Sequence, residues 1–192
     1  MHGSGKMNNE LQRELDKIPS IISSPKFLEN RGLGNDIGFY IFDYPPEHEL
    51  QVRYFVSNMV KVLSSKMNIE HINLFEKIIE YLESRNIKEA TFDMQKSEGN
   101  KSVLKALEAP LNPKKFVSNI IDENQSCDLM IFTGIGSAWP VIRAHNILNN
   151  LQPIVGDTPV IMFYPGKYDT KSLRLFNKME SEGYYRAFKL IV

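Results

Sequence analysis

Apolar residues along this chain follow two alternating rhythms. Uninterrupted runs rich in β-branched and aromatic side chains, at 37–43, 69–74, 129–133, 160–164 and 185–192, have strand length and are mostly apolar on both faces. Such runs suit parallel strands covered by helices above and below. The segments between them carry helical spacing. Val52, Phe55, Val56, Met59, Val60 and Leu63 form one stripe after Pro45-Pro46-Glu47, the mark of a crossover helix. Phe75, Ile78, Ile79 and Leu82 make a second seam, and Phe116, Val117, Ile120 and Ile121 a third behind Asn112-Pro113. Trp139-Pro140 is read as opening a fourth helix, with Val141, Ala144, His145, Leu148 and Leu151 on one side. A fifth is expected over 169–179, offering Leu173, Phe176 and Met179 to the core before Gly183.

The polar stretch 87–111, interrupted by Ser97, Gly99, Asn100 and Pro110, is expected to form one or two excursion helices between the second and third strands. Leu11, Leu15 and Ile18 mark a short amphipathic helix ended by Pro19, which docks on the domain or on a partner. The first six residues, Met-His-Gly-Ser-Gly-Lys, read as a cloning remnant before a start at Met7. The expected architecture is one α/β domain over 7–192: a mostly parallel five-stranded sheet flanked by helices on both faces, a Rossmann-like or P-loop-like three-layer sandwich lacking a phosphate loop.

A length of 192 residues suits one domain with a core that needs no staples. Lysine plus arginine number 23 and aspartate plus glutamate 23, so no global field attracts a polyanion, although a local basic face is still allowed. The single cysteine, Cys127, excludes an internal disulfide. With no apolar run long enough to span a bilayer, the expected setting is cytoplasmic, without membrane contact.

Three strand-to-helix turns could carry chemistry. Phe132-Thr133-Gly134-Ile135-Gly136-Ser137 leaves the third strand, where free amides of an open α/β sheet bind anions, and Arg143 follows within reach of a phosphate or a partner carboxylate. It has neither the third glycine of a dinucleotide fold nor the Gly-Lys-Ser/Thr of a phosphate loop, so a plain packing turn fits it better than a ligand site. Arg31-Gly32-Leu33-Gly34-Asn35-Asp36 precedes the first strand and Asp43 ends it, placed to hold a metal or to act as a base, or simply to sit before a helix start. Gly166 and Lys167 stand in the turn after the fourth strand. In a parallel sheet Asp43, Gly134, Gly136, Ser137, Arg143, Gly166 and Lys167 would share one crevice. No nucleophile elbow, metal-ligand spacing or paired carboxylate accompanies them, so no catalytic residue, metal or cofactor is assigned.

Taken in order, Arg31-Gly32-Leu33-Gly34-Asn35, Phe39-Tyr40-Ile41-Phe42-Asp43, Phe132-Thr133-Gly134-Ile135-Gly136 and 143–151 (RAHNILNNL) resemble the BrxB family of bacterial BREX phage-exclusion systems. The blocks 160–169 (VIMFYPGKYD), 172–176 (SLRLF) and 184–188 (YYRAF) add to that resemblance, which runs from about Ser20 onward. Such systems combine a DNA methyltransferase, a large ATPase and an alkaline-phosphatase-like protein, PglZ, with small accessory proteins. The resemblance implies an accessory acting through other BREX proteins, above all PglZ, and touching DNA only through the complex. It supplies no catalytic residues. A fainter resemblance to the later part of a P-loop ATPase domain comes without the phosphate loop.

Three roles follow as expectations. A noncatalytic interaction module would expose Trp139, Tyr168, Arg174, Tyr184 and Tyr185, since aromatic and arginine side chains supply most interface energy. A nucleotide-binding or hydrolytic enzyme would use the Gly134–Ser137 turn. A DNA-binding accessory would gather Lys114, Lys115, Lys167, Lys171, Arg174 and Lys178 on one face.

Overall fold

The computed structural model describes residues 4–29, 38–121, 126–181 and 187–192. In chain order the elements are α1 (Ser4–Ile22), α2 (Pro25–Leu28), β1 (Phe39–Tyr44), α3 (Glu49–Leu63), β2 (Ile69–Asn73), α4 (Leu74–Ser84), α5 (Lys88–Glu98), α6 (Asn100–Leu107) and α7 (Pro113–Ile120). They continue with β3 (Leu129–Thr133), α8 (Ile135–Ala138), α9 (Ala144–Val155), β4 (Val160–Tyr168), β5 (Leu173–Leu175), β6 (Met179–Ser181) and β7 (Phe188–Lys189).

Five strands run parallel in the order β2-β3-β4-β1-β7, and β5 and β6 extend β4 as an antiparallel ribbon. Strand alternation divides the apolar residues between two cores. Met130, Phe132, Val160, Met162 and Tyr164 pack with the side chains of α4 and α6–α9, whereas Leu129, Ile131, Ile161 and Phe163 pack under α1, α2 and α3. This is the mixed α/β architecture that the doubly apolar runs predict. The excursion over 87–111 is two helices, α5 and α6, parted by Gly99 at φ +84°.

The connection from β1 to β2 travels one way across the sheet through α3, and the connections from β2 to β3 to β4 travel back. Crossovers of one hand then require opposite faces, which is where α3 on one side and α4 with α6–α9 on the other lie. The chain therefore changes direction between the adjacent strands β1 and β4, the place where open α/β sheets bind ligands.

Four expectations need correction. Pro19 does not end the first helix, which continues to Ile22 because Ile18 and Ile22 are both fully buried and anchor its last turn despite the missing amide. Pro140 does not open a helix: Trp139 before it is extended (φ −71°, ψ 140°), as a pre-proline residue prefers, and α9 starts only at Ala144. The segment 169–179 is not helical. Asp169 accepts from the amides of Ser172 (2.7 Å) and Lys171 (3.0 Å), closing a turn, and Leu173 and Leu175 then point inward on either side of the exposed Arg174, a two-residue period. The last strand is the short pair Phe188–Lys189, and the expected Tyr185 start lies outside the described residues.

Candidate functional site

The carboxyl-terminal edge of the sheet between β1 and β4 is filled by the chain itself. Asp43 on β1 accepts the Tyr168 backbone amide (2.9 Å) and faces the Lys189 ammonium (3.4 Å), so one carboxylate ties β1, β4 and β7 together. Beside it the Tyr44 hydroxyl donates to Glu49 (2.6 Å), and burial, followed by that carboxylate, drives the phenol pKa far upward. Above β3, buried Thr133 is hydrogen bonded to His71 Nε2 (2.9 Å), whose pKa burial lowers against the pull of Glu76.

The glycines of this edge serve close approach. Gly134 is left-handed at φ +71°, and a Cβ on it would stand 2.1 Å from Asn73 Oδ1. Asn73 is the N-cap of α4: its Oδ1 accepts from the Phe75 (3.1 Å) and Glu76 (3.4 Å) amides while its Nδ2 donates to Glu76 (2.7 Å). A Cβ on Gly136 would meet the Phe176 ring at 2.7 Å, and one on Gly166 the Arg174 carbonyl at 2.2 Å. Ser137 is exposed on the four-residue helix α8.

An open cleft lies next to this packed edge, between the α8–α9 corner and the β5–β6 ribbon. Its volume is about 440 Å³. Tyr164, Ile135 and Leu175 form an apolar floor, and Trp139, Arg143 and Glu180 line it with exposed side chains. Arg143 is the N-cap of α9 with extended backbone and no capping side-chain bond. His145 Nδ1 is buried with no hydrogen-bond partner among the described residues, and burial, then the Arg143 charge, lowers its pKa. A small apolar floor rimmed by an indole, a guanidinium and the Glu180 carboxylate suits an apolar or aromatic side chain flanked by charged groups that pair with Arg143 and avoid Glu180. Among the described residues no group of three or more His, Cys, Asp or Glu could hold a metal ion.

The expected crevice set is thus divided. Only Arg143 lines the cleft; Asp43, Gly134, Gly136 and Gly166 are packing positions, and Lys167 lies on the ribbon opposite Arg174. Of the expected interface residues, Trp139 is 37% exposed and Arg174 is exposed and paired with Glu180 (3.5 Å). Tyr168 belongs to the core instead: it is fully buried, and its hydroxyl donates to the Ala187 carbonyl (2.6 Å). Tyr184, Tyr185 and the turn 31–36 lie outside the described residues. Leu175, Met179 and Glu180 were hidden from the sequence reading because a helix was expected where the ribbon runs.

The model of the family described as "BREX protein BrxB" matches residues 70–190, which span β2 to β7 and contain the whole cleft. This chain belongs to the BrxB family. It is 40% identical over 187 residues to the BREX protein BrxB of Bacillus cereus (strain H3081.97), covering 94% of this chain and 97% of that protein. It is 39% identical over 184 residues to the BREX protein BrxB of Escherichia coli O9:H4 (strain HS), covering 94% and 92%. No solved structure matches the chain. The blocks quoted for the BrxB resemblance include part of each wall of the cleft, Arg143 on one side and Leu175 on the other, but not Trp139, Met179 or Glu180.

Proposed function

We propose that this chain acts in BREX phage defence as a noncatalytic accessory subunit, and that it binds the alkaline-phosphatase-like component PglZ through the Trp139–Arg143 cleft. Family membership over nearly the full length supports the role in the BREX system. The observation that carries the docking site is the cleft itself: an exposed indole and an exposed guanidinium over an apolar floor, the composition of interface hot spots. The edge where a nucleotide would sit in an open α/β sheet is filled by Asp43, Tyr168 and Lys189, which weighs against hydrolysis there. The ribbon face alternates Lys167 and Arg174 with Glu180, so contact with DNA would come through the complex.

Co-expression of the untagged chain with a tagged PglZ-type protein, followed by pull-down and mass determination, tests the proposal. A stable complex is expected. Trp139→Ala and Arg143→Glu should each weaken it by about 1–3 kcal/mol without changing the melting curve. A chain that never co-purifies, or a complex indifferent to both substitutions, would refute the assignment of the cleft.

A further inference from the structure

Six large apolar side chains are exposed among the described residues, and three of them are on one helix: Leu50 at 77%, Tyr54 at 74% and Val62 at 66%. With Asn58 they recur every four residues along α3, a row that starts opposite the buried Val52, Val56, Met59 and Leu63 at Leu50 and Tyr54 and winds to the flank facing α1 at Val62. A groove of about 370 Å³ runs beside this ridge between α3 and α1, with Pro19, Phe55 and Met59 in its walls and Gln12 bonded to Gln51 (3.0 Å) at its rim. A ridge and an apolar groove lie side by side on one surface. Nothing in the cleft or the sheet edge uses them.

Charge selects the occupant. Exposed Glu47 stands at the amino-terminal end of the ridge, and exposed Lys61 and Lys66 stand at the other end, none with an ion pair among the described residues. A helix of the same sequence laid antiparallel would set Leu50 against Val62 and Tyr54 against Asn58, twice over. The same register carries each Glu47 to the basic end of its mate, and each ridge meets a groove. One two-fold axis satisfies all of these pairings, because residue i meets j where j meets i. We propose that the outer face of α3 pairs two copies of this chain in an antiparallel, isologous dimer.

The interface is one helix pair with the edge of α1, which belongs at the small end of specific interfaces, so the dimer dissociates on dilution. Sedimentation equilibrium of the whole chain from about 1 to about 300 µM should show the mass rising from one chain towards two. High salt should weaken association by screening the end charges. Tyr54→Glu, at an exposed position, should keep its circular dichroism and melting temperature while association falls by about tenfold or more. Glu47→Lys should weaken pairing several-fold, and adding Lys61→Glu and Lys66→Glu should restore it. A wild-type chain that keeps the mass of one copy throughout overturns the proposal, as does a dimer insensitive to Tyr54→Glu. If the chain stays single and Tyr54→Glu instead abolishes PglZ capture, the face belongs to that protein and the second-copy assignment fails.

Discussion

At the scale of single residues, contact between Gly134 and Asn73 explains why a glycine follows β3. The left-handed backbone and the cap of α4 make separate demands on the same position. Asn73→Ala should cost about 1 kcal/mol as a lost cap. Gly134→Ala should cost about 2–3 kcal/mol, since a side chain there both strains the backbone and displaces Asn73. In the Asn73→Ala background the second substitution should cost only about 1 kcal/mol, a coupling that urea unfolding of the four variants would reveal. Additive losses would mean that the glycine answers to backbone conformation alone. Glu14 makes a second case. Its pKa is raised, first by burial and then by Glu10 and Asp43. The folded chain holds this proton more tightly than the unfolded one, so folding loses stability as the pH rises through the raised value. Glu14→Gln should therefore melt about 1–2 °C higher than wild type near pH 7, with the gap closing below about pH 4, where both states are protonated. An equal gap at both pH values would point to packing rather than charge.

At the scale of elements, α1 shows the limit of reading a proline as a stop. Its stripe of Leu11, Leu15, Ile18 and Ile22 is buried against the face that α3 also covers. Leu15→Ala should thus destabilise the isolated chain by about 3 kcal/mol in denaturant unfolding. A neutral effect would mean that α1 waits for a partner. The crossover helix α3, the capped helix α4 and four of the five strands were legible because burial imposes their periods directly. The β5–β6 ribbon was not. Leu173, Phe176 and Met179 recur every three residues, as on a helix, and the equally good two-residue reading of Leu173 and Leu175 is visible only once Asp169 has closed its turn. Positive φ at Phe176 and Asn177 turns the ribbon, and a phenylalanine there has no sequence signal. The candidate site inherited that error: Arg143 and Trp139 could be singled out from sequence, whereas the ribbon wall facing them could not. The outer row of α3 was not legible for another reason: single apolar residues among Arg53, Asn58 and Lys61 carry no periodic burial signal, so the exposure of Leu50, Tyr54 and Val62 emerges only from the packed structure.

At the scale of the whole molecule, the alternation of strand and helix signals determined the layers, while strand order needed the structure. The sequence placed Asp43, Gly134 and Gly166 at one edge of a parallel sheet, as found, but could not tell that β7 closes that edge with Lys189. The edge is consequently a joint, and the open cleft lies beside it rather than in it. The position of β1 has a further outcome. Its hydrogen-bonded neighbours are β4 and β7, so Tyr40 lies beside Ile161 on one side and Phe188 on the other. As the chain emerges from the ribosome, β1 (Phe39–Tyr44) must wait until β4 (Val160–Tyr168) has been made before either flank is paired. Until then both of its hydrogen-bonding edges are open, although α1, α2 and α3, made earlier, can already cover the face that carries Phe42 and Tyr44; an open strand edge of this kind is what invites wrong pairing during synthesis.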